Sequence, residues 1–202
     1  SWKNISINIQ GSSFIFSLGA DDSYLYAGTV QDIFRTSDNG AHWEAVGFGK
    51  QARHLSVDDN RLVAGVWPDG VFVSTDHGEH WDERVQGLSD AYATSKGIYD
   101  LAVEWPRILV VTPEGLFFST DGGSDWDPLP GNFPMNGLHN TRVGMRSGRM
   151  YVNLMAPQTS QYGLFASADD GQTWTTIHDN PDLLREMSLS GTSEIILAGW
   201  GD

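Results

Sequence analysis

Ile33-Phe34-Arg35-Thr36-Ser37-Asp38-Asn39-Gly40-Ala41-His42-Trp43 is a phrase that the chain repeats. It returns without a gap as Val71 to Trp81, Leu116 to Trp126 and Leu164 to Trp174, each time as aliphatic-Phe-x-[Ser/Thr]-x-Asp-x-Gly-x-x-Trp. The aspartates stand at 38, 76, 121 and 169, the glycines at 40, 78, 123 and 171, and the tryptophans at 43, 81, 126 and 174, so successive aspartates are 38, 45 and 48 residues apart. The chemistry is that of a turn between two strands. Gly supplies positive φ, the carboxylate accepts from turn amides, and the Trp folds back onto apolar neighbours. Steps of this size suit one four-stranded blade of a β-propeller per repeat.

The phrase Ser/Thr-x-Asp-x-Gly-x-x-Trp resembles the Asp-box, also called the bacterial neuraminidase (BNR) repeat, and the resemblance extends over nearly the whole chain. It implies a propeller with the box between the third and fourth strand of each blade, away from the ligand-binding face. Proteins that resemble this one include sialidases, xyloglucan-active glycosidases, sortilin-like sorting receptors and photosystem assembly factors, so the likeness speaks for fold and not for function.

Working outward, small-residue second strands are expected at Leu25 to Gly28, Leu62 to Gly65, Ile108 to Val111, Met150 to Asn153 and Ile196 to Gly199. Inner strands are expected at Phe14 to Ala20, Arg53 to Val57, Tyr99 to Val103, Arg142 to Arg146 and Glu186 to Ser190. An aliphatic residue follows three positions after Trp in Val46, Leu129 and Ile177, but Arg84 stands there in the second blade and predicts a weaker outer strand. The fold class is thus all-β: a propeller of four-stranded antiparallel blades with Asp-box turns, four complete and a fifth split and incomplete. A single domain over 1–202 has blades at about 12–49, 50–88, 97–131 and 140–180, with 183–202 plus 1–8 as the partial blade. Either the sequence is an excerpt of a longer propeller, or another chain donates the strand that completes the fifth blade, since an open sheet edge invites association.

Composition agrees. The chain has 202 residues, against roughly 150 for a typical domain. It carries 23 Gly, eight Trp and no Cys, which excludes a disulfide framework, a Cys zinc site and a thiol nucleophile. Twelve basic against 26 acidic side chains give a net charge of −14, which argues against nucleic acid and anionic membranes as partners. No apolar run approaches the ~20 residues of a membrane span.

The box aspartates are expected to be structural, and Asp121-Gly122-Gly123-Ser124-Asp125 lacks the ligand series of a calcium loop. No metal or cofactor is expected. A sharper constellation emerges when Ala27, Ala64, Val110, Val152 and Ala198 are set in one column: ten residues upstream of each stand Ser17, His54, Asp100, Arg142 and Ser188, all polar. Equivalent inner-strand positions converge on a propeller's central channel, so His54, Asp100 and Arg142 are candidates for a polar cluster there, or for channel-lining groups that satisfy one another. The end opposite the boxes collects Trp67, Asp69, Tyr92, Glu114 and Trp200, together with Phe133, His139 and Tyr162, from the irregular connections. Aromatics beside carboxylates suit stacking on sugars or on an extended peptide. The expectation is a non-catalytic binding or scaffold module, exported to an extracellular or periplasmic setting, that takes a glycan or protein ligand and self-assembles through its open blade. The alternative is a glycoside hydrolase of the sialidase or glucan-active type. Resemblance to sialidases keeps Arg53, Arg142 and Arg185 in view, but their Phe-Arg-Ile-Pro signature is absent and Pro106-Arg107-Ile108 falls at a second-strand start.

Overall fold

The computed structural model describes residues 14–88, 97–130, 138, 141–156, 161–178, 188–191 and 195–198; of residues 155, 156, 161, 162 and 178 and the last two stretches only the backbone is described. The chain divides into two compact units, Ser1–Arg84 and Val85–Asp202. In the first unit β1 (Ile15–Ala20), β2 (Leu25–Thr29), β3 (Ile33–Thr36) and β4 (Glu44–Ala45) form one antiparallel sheet in chain order. A second sheet contains β5 (Ala52–Asp58), β6 (Arg61–Val66), β7 (Gly70–Ser74) and β8 (Asp82–Glu83). The second unit repeats the plan with β9 (Asp100–Glu104), β10 (Arg107–Thr112), β11 (Gly115–Ser119) and β12 (Asp127–Pro128). It continues with β13 (Arg142–Arg146), β14 (Arg149–Ala156), β15 (Gln161–Ser167) and β16 (Thr175–His178), then a two-stranded β17 (Ser188–Gly191) and β18 (Ile195–Ala198). The strands form where β-branched, aromatic and small residues alternate between turn glycines, and each repeated phrase supplies a third strand and the turn to the fourth.

Pairing repeats residue for residue. Leu18, Leu55, Leu101 and Val143 lie opposite Ala27, Ala64, Val110 and Val152. A bulge shifts the register at the same point of β1 and β5, so that Ile15 opposes Thr29 as Ala52 opposes Val66. The two-stranded sheet differs by one residue: Leu189 opposes Leu197 and Ser188 opposes Ala198. Because side chains alternate sides, a one-residue offset exchanges the faces of a strand.

Each sheet has two unlike faces. On one, here the leading face, β5 to β7 bring Ala52, Leu55, Leu62, Ala64, Val66 and Phe72 against Tyr26, Ile33 and Phe48 on the trailing face of the preceding sheet. In the second unit Val143, Met145, Met150, Val152 and Leu154 pack likewise on Leu109, Val111, Leu116 and Phe118. The pairings above make the positions equivalent. The expected weakness of the second outer strand is not found: β8 has two residues, as do β4 and β12. Arg84 donates its amide to the Val71 carbonyl (2.8 Å) just as Val46 does to Ile33 and Leu129 to Leu116 (2.9 Å each). Pairing here is made by backbone, so exchanging an aliphatic side chain for Arg leaves it intact.

Candidate functional site

The repeated phrase lies between the third and fourth strand of all four sheets. Its polar residues form one bonding scheme. The hydroxyl of Thr36, Ser74, Ser119 or Ser167 donates to the aspartate two residues on at 2.8, 2.9, 2.8 and 2.8 Å. The same hydroxyl accepts from the amide of Gly40, Gly78, Gly123 or Gly171 at 2.8–3.1 Å. Each aspartate also accepts from the amide four residues on, at 2.8–3.0 Å. These bonds hold the carboxyls below their ordinary range. For Asp38, Asp76 and Asp121 the backbone amide is the largest cause, and for Asp169 it is the Thr173 hydroxyl; Asp76 and Asp169 fall to about 2. His80, hydrogen-bonded to Asp76 at 2.7 Å, is correspondingly raised. All four φ values at the glycines are positive, and so are those of Asn39, His77, Gly122 and Asp170 just before them. The sequence reading missed this second left-handed residue. Its signal was the residue type, since Asn, Asp, His and Gly are the ones that enter that region most readily.

The polar inner-strand residues occupy matching positions in the four large sheets. Ser17 pairs with Gly28, His54 with Gly65, Asp100 with Val111 and Arg142 with Asn153. In the first unit the Ser17 hydroxyl donates to the Ala52 carbonyl (3.3 Å) on the neighbouring inner strand, with half-buried His54 two residues further along it. In the second unit Asp100 Oδ2 accepts from the Val143 amide (2.9 Å), and the Arg142 guanidinium donates to the Thr141 carbonyl (3.1 Å). Ser17 and Asp100 therefore act as rungs from one inner strand to the backbone of the next. Ser188, on β17, has the one-residue offset noted above.

Connections on an antiparallel sheet alternate ends, so the β2–β3, β6–β7 and β10–β11 connections lie opposite the box turns. In the first unit this end carries Trp67, 40% exposed, and the Lys50–Asp69 ion pair at 2.6 Å, whose ammonium is 5.2 Å from the Phe72 ring centre. In the second unit it carries Glu114, whose amide donates to the Thr112 hydroxyl (3.2 Å). Tyr92, Phe133, His139 and Trp200 lie outside the described residues, and Tyr162 lies in β15.

A further network had no counterpart in the sequence reading. The Asp21 carboxylate, 2% exposed, accepts from the Tyr26 hydroxyl (2.8 Å), stands 3.0 Å from His77 Nδ1, and takes the amides of Ser23 and Tyr24 (2.7 Å each). Burial alone would raise the acid, but these hydrogen bonds outweigh it and hold Asp21 below its ordinary value. The same burial and the Asp21 charge push the Tyr26 phenol upward. Beside it Arg35 lies over the Tyr24 ring (4.8 Å) and donates to Glu44 (2.7 Å), Glu79 (2.6 Å) and the His77 carbonyl (3.0 Å). In the second unit the clasp recurs with its members exchanged: Arg107 stands at the position of Tyr24, over Phe118 (5.4 Å) at the position of Arg35, and binds Asp170, the counterpart of His77. Arg35 was legible as the lone cation in a column otherwise filled by Val73, Phe118 and Ala166.

Among the described residues no group of three or more His, Cys, Asp or Glu is placed to hold a metal ion. No known family model and no curated protein sequence matches the chain. Solved structures do match it. The GH74 xyloglucanase from Xanthomonas campestris is similar at TM-score 0.60 and 21% identity, over 87% of this chain and 32% of that one. YCF48 bound to D1 peptide is similar at TM-score 0.65 and 14% identity, over 91% and 60%. A chain of the nidogen/laminin complex is similar at TM-score 0.59 and 13% identity, over 84% and 65%. The chain therefore spans about a third of the xyloglucanase's length. Identities this low speak for the fold alone, and the fold is an all-β propeller with four four-stranded blades.

Proposed function

We propose that this chain is a non-catalytic binding and scaffold propeller of the Asp-box type, working outside the cell or in a periplasm and presenting the end opposite its box turns to a protein partner. The observation that carries the reading is how the carboxylates are used. The box aspartates are engaged in their own turns, and Asp100 is bonded to the neighbouring strand's amide. What the far end offers instead is an exposed indole beside a cation and an anion, a combination suited to a backbone-rich ligand. That similar propellers include one solved with a peptide and one in a protein complex supports a protein ligand over a glycan. Completion of the two-stranded sheet by a donated strand is a second route to association.

The alternative, hydrolysis of a glycan, is favoured by the likeness to xyloglucanases. Both are tested by incubating the protein with xyloglucan, a fluorogenic sialoside and an arrayed peptide library. The expected outcome is saturable peptide binding without turnover, weakened about tenfold or more by Trp67→Ala. Release of reducing ends or fluorophore, lost on Arg142→Ala, would replace the scaffold reading with an enzyme. Saturable binding of the glycan alone would make it a lectin.

A further inference from the structure

The inner strands β1 and β5 carry a bulge at the same place, whereas pairing within β9 and β13 runs without a shift. The register slips between Ile15 and Ser17 and between Ala52 and His54, which leaves Phe16 and Arg53 as the extra residues. With Ser17, His54, Asp100 and Arg142 in one column, their counterparts in the second unit are Tyr99 and Thr141. Both of those are tucked in. Tyr99 packs against the core with its amide on the Val111 carbonyl (2.8 Å), and Thr141 is buried with its amide on the Leu138 carbonyl (2.8 Å). A bulge re-aims the side chain it carries. In the first unit it brings together two side chains of consecutive sheets: the guanidinium of exposed Arg53 lies over the ring of Phe16, 5.5 Å from its centre, and Phe16 is 40% exposed.

Both bulges lie at the end opposite the box turns. Thr29 faces Ile15 and Val66 faces Ala52, so the connections that carry Val30 and Trp67 stand beside them. Exposed Phe14, Phe16, Val30 and Trp67 thus collect at one end of the first unit. Exposed apolar side chains gathered in this way, with charge at their rim, mark an interaction site. The charge is unlike that of the rest of the chain, whose net value is −14. Arg35, Arg61, Arg84 and Arg107 each pair with a carboxylate, and Lys50 pairs with Asp69. Among the described residues no carboxylate pairs with Arg53. Asp32, in the β2–β3 connection, is held by the amides of Ile33 (2.7 Å) and Phe48 (2.9 Å), and the amides of Gln31 and Asp32 are taken by the Thr29 hydroxyl (3.2 Å each).

We propose that Arg53, stacked on Phe16 and flanked by Trp67, reads a carboxylate, and that the segment bound here is an acidic peptide. An Asp or Glu side chain of the ligand takes the guanidinium, and an apolar neighbour lies against the exposed rings. A guanidinium held face-on over a ring keeps its N–H edges for a bidentate carboxylate, which an ammonium cannot match. A side-chain carboxylate fits better than a chain terminus, because termini are captured by backbone amides and those of this connection are already bonded. The inference rests on the protein ligand proposed above and narrows it to one class of peptide.

The test is fluorescence anisotropy of the whole chain with short labelled peptides, amidated at the C-terminus and matched in pairs that differ by Glu or Gln beside an apolar residue. Wild type is expected to bind the Glu member about tenfold or more tightly than its Gln partner. Arg53→Gln is expected to erase that preference while keeping the weaker binding common to both, and Arg53→Lys to restore it only in part. Circular dichroism checks that the variants are folded, and the Glu–Gln comparison on wild type needs no variant. Equal binding of the two members, weakened alike by Trp67→Ala, would overturn the inference and leave the protein-ligand reading standing. Binding of neither member would overturn both. Binding that requires a free C-terminal carboxylate, or that free glucuronate or sialic acid displaces from wild type but not from Arg53→Gln, would overturn the acidic side chain as the group that is read.

Discussion

At the scale of single residues, each box aspartate is a hydrogen-bond acceptor for its own turn, and that use has a pH signature. The folded-state values of Asp76 and Asp169 lie near 2, below the ordinary 3.8, and those of Asp38 and Asp121 are lowered as well. A group whose acid is stronger in the folded state contributes stability that is complete above its unfolded value and disappears as pH falls through the folded one. The urea midpoint is therefore expected to hold steady down to about pH 4 and then to drop toward pH 2. A midpoint that began to fall near neutrality, or that was unchanged at pH 2, would contradict this account of the turns. Asp21 acts in the same direction from a buried position.

At the scale of strands and sheets, the governing event is the approach of one sheet's outer strand to the next sheet's turn. Gly171 combines φ +81° with a Leu129 methyl group 2.4 Å from where a Cβ would be. Gly171→Ala is expected to cost about 1–3 kcal/mol or more, through left-handed strain together with displacement of Leu129. Gly49, also at positive φ but with nothing within 4 Å of its Cβ position, is the control in which strain acts alone. Urea denaturation of the two alanine variants separates them, and equal losses would mean that the neighbouring sheet yields freely. Much at this scale was legible in the sequence. The four turns follow from an eleven-residue phrase that repeats without a gap, their place between third and fourth strands is what the resemblance to the Asp-box implies, and the column of Ser17, His54, Asp100 and Arg142 follows from aligning the small-residue second strands ten residues downstream. The clasps were not legible. Tyr24 and Arg35 in one unit do the work of Arg107 and Phe118 in the other, and an alignment that compares columns one at a time does not show two partners exchanging strands. The binding end was readable only as a set of connections, since irregular segments carry no period from which positions can be transferred.

At the scale of the whole molecule, the charge of −14 bears on association. Copies that approach one another repel over a Debye length of ~10 Å at 0.1 M salt, and added salt shortens that range. Self-association is therefore expected to strengthen as sodium chloride rises, the reverse of an assembly held by ion pairs. Sedimentation velocity across a salt series measures it, and dissociation at high salt would assign the contact to ion pairs.

The chain-order arrangement of strands within each sheet also bears on how the protein comes into being. Every four-stranded sheet takes its strands from one unbroken stretch, so none of them waits for a segment made much later. Within each unit the aliphatics that the later sheet must shelter meet a surface completed just before it. For a β protein this is an unusually local set of instructions, and local instructions shorten the search for the native state. On the ribosome, then, such a chain is suited to assembling one blade at a time, each finished blade serving as the template for its successor.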